Sequence, residues 1–252
     1  MALTTLQLCN GFIKMLNNNQ QFFLLCIVTI VTIVGQENFV LIGPPGGGKG
    51  TFSSYMTKQH NYRQICPGDI LREHIKNNTE LGKVIKPILE RGDDIDCTVV
   101  YKIIDSEVTS CLERKIPFII DGFPRNAHTF EFLKKFLKEK SASSLITFIH
   151  FKIDNQTCLE RINNRLVCTY CGSIFNKTTN KPKKEALCDC CNKELQIRIG
   201  DETEITVKRL NAYRKNIEPL TEFAKKDFKL YTIDAHTPLV DCIKMYESLL
   251  KH

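Results

Sequence analysis

The chain has 252 residues, a length that allows one substantial core with one or two inserted lobes and excludes several full-size domains. The formal net charge is +7, which is moderate for this length. That charge fits a site for anionic ligands and a weakly basic surface equally well, so charge alone does not decide the ligand.

An apolar run near the start of the chain differs in character from the rest. Residues 22–34 read FFLLCIVTIVTIV and carry no charge. The run is shorter than the roughly 20 apolar residues that span a bilayer. It resembles the apolar region of a signal peptide, with Lys14 upstream and Gly35 at a cleavage point. Residues 1–36 are therefore interpreted as an extension. Targeting, membrane contact through 22–34, and packing on the core all stay open, as do a cytoplasmic and an organellar location.

A glycine-rich stretch, GPPGGGKGT at 43–51, follows the apolar run 38–42 and precedes a helical segment. Glycines permit positive φ and bring several N–H groups close to a polyphosphate. The start of the helix adds partial positive charge, and Lys49 can reach the β and γ oxygens. A purely structural turn explains neither Lys49 nor the strand–loop–helix order. This order predicts a nucleoside triphosphate site, with contacts from Gly46, Gly47, Gly48, Lys49, Gly50 and Thr51.

Two features bear on magnesium. Gly50 stands where a Ser or Thr hydroxyl usually meets Mg²⁺, so we expect the ion to be held mainly by phosphates and water. Residues 117–125, PFIIDGFPR, predict a buried strand that ends in Asp121. A carboxylate in that position can orient Mg²⁺ or its waters, although Asp121 could instead only cap the following turn.

Short apolar runs alternate with amphipathic segments along the rest of the chain. Strands are predicted at 38–42, 62–66, 117–121, 145–152 and 229–233. Helices are predicted at 81–90, 99–112, 129–137 and 205–216, with a last one beginning at Thr237 and Pro238. This alternation predicts an α/β fold of three layers with a parallel five-stranded sheet. Ligands of such folds bind at the carboxyl ends of the strands, where the glycine loop lies.

Two stretches fit the alternation poorly and are interpreted as lobes inserted over the site. Residues 67–96 are helical without a strand, and residues 161–204 are polar and rich in cysteine. The remaining segments form the predicted core domain, namely 37–66, 97–160 and 205–252.

The second lobe contains two cysteine pairs, Cys168-x2-Cys171 and Cys188-x2-Cys191, separated by 16 residues in the chain. This spacing is typical of a tetrahedral zinc site. Four thiolates would close the coordination shell, so the metal, zinc or iron, would be structural. Cys190 is a rival ligand. Disulfides are the alternative if the chain enters an oxidising compartment.

The same lobe carries the basic stretch KPKK at 181–184, and basic zinc ribbons can bind nucleic acid. Several acidic residues accompany it, and Tyr170 and Phe175 are its only aromatic residues. We therefore expect no nucleic-acid partner.

Six arginines recur among these motifs. Phosphoryl transfer requires positive charge around the equatorial oxygens, and guanidinium groups supply it through bidentate contacts. The six are Arg72, Arg125, Arg161, Arg165, Arg198 and Arg209. The spacing of Arg161 and Arg165 predicts that both lie on one helical face. A solvated basic face is the alternative for any one of them.

Together these motifs resemble adenylate kinases of the long-lid, zinc-bearing kind over about residues 38 to 250. The resemblance rests on GPPGGGKGT, GDILR, LGK, DGFPR, ERINNR, the four cysteines and the series Arg198, Asp201 and Arg209. It implies a core domain, a monophosphate-binding lobe at 67–96 and a mobile lid at 161–204. It also implies Mg²⁺-dependent transfer of the γ-phosphoryl group of ATP or GTP to AMP, and we expect a monomer.

The resemblance also implies roles by position. Lys49 and the loop amides hold the donor phosphates, and Arg72 and Arg125 grip the acceptor phosphate. Arg161 lies near the donor base. The implied catalytic residues are Lys49, Asp121, Arg125, Arg165, Arg198 and Arg209.

Three positions depart from the family pattern. Pro67 replaces a usual Thr, Thr129 replaces a Gln that reads the acceptor base, and Gly200–Asp201 replaces paired aspartates. Each lost base contact costs on the order of 1–3 kcal/mol. We therefore expect AMP as the leading acceptor, with poor or altered base choice. A non-catalytic nucleotide-binding protein is the alternative, and a short-lidded pyrimidine monophosphate kinase is disfavoured by the long cysteine-bearing insertion.

Overall fold

A parallel five-stranded sheet runs through the residues that the computed structural model describes, 37–93 and 95–236 without the side chain of Ser144. The strand order is β2-β3-β1-β4-β7. Its members are β1 (Asn38–Ile42), β2 (Arg63–Ile65), β3 (Phe118–Asp121), β4 (Ile146–Lys152) and β7 (Lys229–Asp234). All five predicted strands are confirmed, with bounds that differ by one residue at most. A separate antiparallel pair consists of β5 (Arg165–Val167) and β6 (Ile174–Asn176).

Seven α-helices surround or extend from the sheet within the described ranges. They are α1 (Lys49–His60), α2 (Pro67–Lys76), α3 (Glu80–Glu90), α4 (Cys97–Glu113), α5 (Ala127–Glu139), α6 (Asn155–Asn163) and α7 (Thr203–Asp227). Side-chain caps begin four of them: Thr79 accepts from Gly82 N, Asp96 from Thr98 N, Asn126 from Thr129 N, and Asp154 from Thr157 N. These local signals explain why the predicted helices α3 to α5 are found close to their predicted bounds.

The two faces of the central strand β1 pack into different hydrophobic clusters. Phe39 and Leu41 contribute to the cluster that includes α1, whereas Val40 and Ile42 contribute to the cluster under α4, α5 and α7. All five residues of β1 are buried. Since successive side chains of a strand point to opposite faces, both faces of the sheet are covered, which gives the predicted three layers.

Helix α7 is longer than predicted. The sequence pattern ended it at 216, but the helix continues through Pro219 to Asp227. Leu220 and Ala224, which follow the proline, are fully buried in the cluster under α4 and α5. Packing of this last part of the helix against the core outweighs the proline, which a local pattern could not indicate.

In the residues that the structure describes, the two inserted stretches contain no strand of the central sheet. Helices α2 and α3 form a hairpin in which a Cβ at Gly82 would lie 2.1 Å from the carbonyl oxygen of His74. Only glycine allows this approach, which explains the glycine of the LGK motif. The segment 161–204, here called the cysteine segment, contains the β5–β6 pair and a small cluster of Cys168, Phe175, Cys188 and Leu195.

One predicted geometry is wrong. Arg161 and Arg165 were expected on one helical face, but α6 ends at Asn163 and Arg165 begins β5. The chain therefore leaves the helix between the two arginines, and their spacing no longer places them together.

The extension 1–36 and the helix predicted from Thr237 lie outside the described residues, so neither prediction is tested. Within 37–93 and 95–236, none of the helices combines the length and the apolar character that crossing a membrane requires.

Candidate active site

The glycine loop lies between the end of β1 and the start of α1, as the sequence predicts. Gly46 has φ +77°, and a Cβ there would lie 2.7 Å from the carbonyl oxygen of Cys158. Gly48, the residue before α1, has φ +94°. Both backbone conformations favour glycine. The result is an open turn whose amides precede the start of a helix of 12 residues, which is a suitable geometry for anions.

Lys49 folds back over this loop. Its Nζ donates to the carbonyl oxygens of Gly43 at 2.7 Å and Pro44 at 2.8 Å. Burial lowers the pKa of Lys49 to about 8, and the carboxylate of Asp121 acts in the opposite direction. The amine is therefore held inside the loop, in a place where an anionic ligand would raise its pKa again.

Asp121 ends strand β3 next to the loop. Burial raises the pKa of its carboxyl group, while Lys49 opposes this effect. Gln64 Nε2 donates to Asp121 Oδ2 at 3.4 Å. A Cβ on Gly50 would lie 3.9 Å from the same oxygen. Asp121 thus faces the phosphate loop, and the sequence pattern did not reveal its neighbour Gln64.

Three guanidinium groups interact electrostatically with Arg209. Burial, together with the nearby charges of Arg125, Arg198 and Arg165, lowers the pKa of Arg209 to about 10, and the carboxylate of Asp201 acts in the opposite direction. Arg125 and Arg209 also act on Lys49. These predicted residues are therefore brought together with the loop. Such a concentration of positive charge is a place for a multiply charged anion.

Asp201 organises one side of this cluster. Its carboxylate forms a two-point ion pair with Arg165, one bond being 2.7 Å from Nε to Oδ2 and the other joining Nη2 to Oδ1. The side chain of Asp201 is 1% exposed. Arg209 Nη1 donates to the carbonyl oxygen of Gly200 at 2.9 Å. A glycine at 200 therefore contributes a backbone acceptor where the family pattern has a carboxylate.

Asp69 joins the α2–α3 hairpin to the cysteine segment. Its Oδ1 accepts from Arg72 Nη2 at 2.5 Å and also from Arg198 Nη2. A second contact across the same gap is the bond from Lys76 Nζ to the carbonyl oxygen of Thr169, at 2.8 Å. The two inserted stretches thus meet over the loop. Asp69 is the second residue of the GDILR motif, but its pairing with Arg198 joins residues that are far apart in the chain.

The remaining two arginines contact backbone oxygens. Arg125 Nε donates to Gly122 O at 2.9 Å. Arg161 Nη2 donates to Ala235 O at 2.8 Å, in the loop that follows β7. The hydrogen bond of Arg161 therefore lies beside the edge strand β7. It is separate from the carboxylates of Asp69 and Asp201, which bind Arg72 and Arg165.

Two of the three altered family positions, Pro67 and Thr129, lie at helix starts. Pro67 is the first residue of α2, after Cys66. Thr129 lies in a capping box: its Oγ1 accepts from the amides of Arg125 at 3.0 Å and Asn126 at 3.1 Å. Thr129 is 7% exposed. Its hydroxyl therefore stabilises the start of α5. The spacing N-x-x-T could have indicated this box from the sequence alone.

The four predicted cysteines come together. The sulfurs of Cys168, Cys171, Cys188 and Cys191 all lie within 4.8 Å of one another. All four are free thiols. Tetrahedral zinc with Zn–S bonds of about 2.3 Å needs sulfurs about 3.8 Å apart, so the cluster is compatible with zinc. Cys190 is not part of this group and instead lies 3.4 Å from Ser173 Oγ.

A parallel sheet, a glycine loop with a partly buried lysine, and clustered arginines define a nucleotide phosphotransferase with a phosphate-binding loop. A sequence profile described as adenylate kinase matches residues 41–229. The chain belongs to the adenylate kinase family. It is thus a phosphotransferase with nucleoside monophosphate kinase activity.

Individual relatives agree with this assignment. The adenylate kinase of Borreliella burgdorferi is 38% identical over 196 residues, which are 78% of this chain and 90% of the relative. That of Caldanaerobacter subterraneus is 37% identical over 199 residues, 78% of this chain and 88% of the relative. That of Petrotoga mobilis is 36% identical over 216 residues, 84% of this chain and 96% of the relative.

Proposed function

We propose that the protein transfers the γ-phosphoryl group of ATP, or of GTP, to AMP in the cleft between the glycine loop, the α2–α3 hairpin and the cysteine segment. The observation that carries this proposal is the electrostatic convergence of Lys49, Arg125, Arg165, Arg198 and Arg209. Three carboxylates, Asp69, Asp121 and Asp201, face these five cations, so the site keeps a net positive charge that matches the phosphate chain of two nucleotides bound end to end.

The donor phosphates would bind the amides of residues 46–51. Lys49 would exchange its contacts with Gly43 O and Pro44 O for phosphate oxygens. A bound polyphosphate would keep the amine protonated, although its pKa is about 8 without one. Because the loop contacts phosphates and not the base, we propose that GTP can replace ATP as donor.

The acceptor phosphate would bind Arg72 and Arg125. Arg72 is already aimed by Asp69, and Arg125 by the carbonyl oxygen of Gly122. An oxygen of this phosphate attacks the γ-phosphorus, the bond from that phosphorus to the β–γ bridging oxygen breaks, and two diphosphates result. The protein forms no covalent bond in this reaction, so its contribution is orientation and charge.

The transferred group would lie among Arg165, Arg198 and Arg209. Asp201 fixes Arg165 in a two-point pair, so this guanidinium is oriented before the substrates bind. Fixed cations that face a developing negative charge stabilise the transition state without reorganisation. The contacts of Asp69 and Lys76 across the cleft support closure over both nucleotides, which would keep water from the phosphoryl group.

Asp121 fits a role in holding magnesium. It is an oxygen donor beside the phosphate loop, and Gly50 leaves room next to its Oδ2. Mg²⁺ prefers oxygen ligands and retains several waters, and when bound it would neutralise part of the charge of the phosphates. We propose that Asp121 orients those waters, with Gln64 holding the carboxylate.

The four thiols of the cysteine segment would hold one zinc ion, whose full shell of protein ligands leaves no open position for chemistry. We propose that residues 161–204 act as a lid stabilised by this ion. Residues 67–96 would be the acceptor lobe, and 37–66, 97–160 and 205–252 the core domain. We also propose a monomer that does not bind nucleic acid. Contact of residues 22–34 with a membrane is proposed from the sequence pattern alone, as is a cytoplasmic or organellar location.

The acceptor base would be read weakly. Pro67 offers no hydroxyl and no N–H, and Thr129 uses its hydroxyl in the capping box of α5. We therefore propose AMP as the preferred acceptor, with a smaller advantage over other monophosphates than two base-reading side chains would give.

A coupled assay over a grid of donors and acceptors tests this function. ATP and GTP are each combined with AMP, GMP, CMP and UMP, and the formation of diphosphates is measured. We expect the highest kcat/KM with AMP. If no acceptor is phosphorylated above background while ATP still binds, the chain is a non-catalytic nucleotide-binding protein.

A double variant, Pro67→Thr with Thr129→Gln, tests the acceptor assignment. If these positions face the base, the KM for AMP should fall by roughly tenfold or more, as expected for a gain of about 1–3 kcal/mol. Thr129→Gln keeps Asn126 as the N-cap of α5, and a glutamine at this position can also accept from the Asn126 amide, so the start of α5 should be retained. Thr157→Gln, which makes the same exchange at the start of α6 and removes only the hydroxyl bond to Asp154, is the matched control, and an equal change of KM in it would contradict the assignment.

A further inference from the structure

A histidine joins two elements at the β7 edge of the sheet. His236 Nδ1 lies 2.7 Å from Asp234 Oδ1, and its Nε2 lies 2.7 Å from Asp154 Oδ2. A carboxylate can only accept, so both ring nitrogens must donate, and an imidazole does this only when it is protonated. The pair of carboxylates therefore selects the imidazolium form.

The two carboxylates belong to the two elements that carry the Arg161 contact. Asp154 caps α6, the helix of Arg161, by accepting from Thr157 N at 2.9 Å. Asp234 ends β7 and accepts from His236 N at 3.0 Å. Ala235 lies between Asp234 and His236 in the chain, and its carbonyl oxygen accepts from Arg161 Nη2 at 2.8 Å. His236 thus joins the start of α6 to the end of β7, the same two elements that the Arg161–Ala235 hydrogen bond connects.

We propose that protonated His236 is a positioning residue for the nucleoside triphosphate, because it fixes the Arg161–Ala235 contact beside which the donor base would lie. This inference rests on the proposed function, which places Arg161 at the donor base. His236 itself touches neither substrate. It acts through Arg161, so its loss should affect donor binding before it affects the transfer step.

The charges around His236 determine the direction of its pH dependence. Asp154 and Asp234 face its ring, and their hydrogen bonds raise the pKa of His236. Lys152 acts on Asp234 from β4, and Arg214 of α7 bonds to Asn155 Oδ1 and Ile153 O nearby. After deprotonation, one ring nitrogen would face a carboxylate oxygen without a hydrogen between them. The loop would then separate from α6 at alkaline pH.

The test compares His236→Gln with the wild type between pH 6 and 9. Loss of one charge-assisted contact should raise the donor KM at pH 6.5 by roughly 3- to 10-fold. The acceptor KM and kcat should stay within about twofold of the wild-type values, because Arg161 is placed neither at the acceptor nor at the transferring phosphoryl group. In the wild type the donor KM should rise with pH, and the variant should lose this dependence.

Two further variants keep the test decisive. His236→Lys retains a positive charge and donors, so it should recover part of the donor affinity without the pH dependence. His128→Gln changes an exposed histidine of α5 and should match the wild type. Direct binding of ATP alone, followed by calorimetry, gives a readout that does not require transfer.

Three outcomes separate the hypotheses. If the wild type transfers no phosphoryl group with any pair of substrates, the proposed function fails. If the wild type is active and His236→Gln leaves the donor KM unchanged at every pH, only the positioning role fails. It also fails if donor and acceptor KM rise together, since that indicates general loss of structure.

Discussion

The phosphate loop and the cysteine segment are ordered by different means. The loop follows strand β1, which is buried over its whole length, and it precedes α1, which packs into the same core. The cysteine segment has only a small buried cluster, and two of its members are Cys168 and Cys188. One region is therefore held by apolar burial and the other depends on four thiols, since two short strands and few apolar side chains supply little core. The comparison predicts that mutations in the phosphate loop lower catalytic activity, whereas mutations in the cysteine segment lower stability.

Lys49→Met should have the largest effect, and it should act on chemistry. Removing a fixed cation from a transferring phosphoryl group should lower kcat by about 100- to 1000-fold. The melting temperature should change little, because Lys49 donates its hydrogen bonds to the carbonyls of its own loop and not to another element. Steady-state kinetics and thermal unfolding measure both quantities.

Lys58→Met, on the exposed side of the same helix, is the matched control. A loss of kcat in Lys58→Met that equals the loss in Lys49→Met would show that the helix, and not the amine, matters.

Cys171→Ser should act in the opposite manner, on the cysteine segment and not on the loop. Loss of one of four ligands should weaken metal binding by more than about 100-fold, beyond the 10- to 100-fold that an outer hydrogen-bonding partner costs. Elemental analysis should show less than one metal ion per chain, and the segment should unfold before the core. Cys190→Ser, whose sulfur lies outside the group, should retain the metal. The account fails here if both variants lose metal equally.

Gly82→Ala tests the third region, which neither a metal nor the central sheet holds. A Cβ would meet backbone atoms of His74 and Ile75, which cannot move aside as a flexible side chain can. We expect a loss of about 1–3 kcal/mol of unfolding free energy. Lys83→Ala removes only an exposed ion pair with Glu80 and should change the free energy by less than about 0.5 kcal/mol. Urea denaturation compares the two, and equal midpoints would contradict the close packing.

The smallest effect concerns His236 and pH. Its pKa is raised in the folded protein by hydrogen bonds to Asp154 and then Asp234. A raised pKa means that the contribution to stability is fully present below the unfolded value of about 6.5 and is lost as pH rises through the folded value. The wild type should therefore lose more of its stability than His236→Gln between pH 6 and 9. If urea denaturation showed the same pH dependence of the unfolding free energy in both proteins, the histidine would contribute nothing to stability.

The sequence was sufficient for the sheet and for the phosphate loop, since long apolar runs and glycine spacing are local signals. It was insufficient for β5 and β6, which have three residues each and carry no clear period. The predicted helical pairing of Arg161 and Arg165 failed because nothing local marks the helix end at Asn163. The pairings of Asp69 with Arg198 and of His236 with Asp154 could not be predicted, because the partners are distant in the chain.

The central claim is that one cleft embraces two nucleotides through the loop amides and a cluster of cations. Binding of a bisubstrate dinucleotide analogue, which joins donor and acceptor through their phosphates, tests it most directly by calorimetry. We predict that the analogue binds at least about 100-fold more tightly than ATP, because both halves are engaged at once. An affinity no greater than that of ATP would contradict the account.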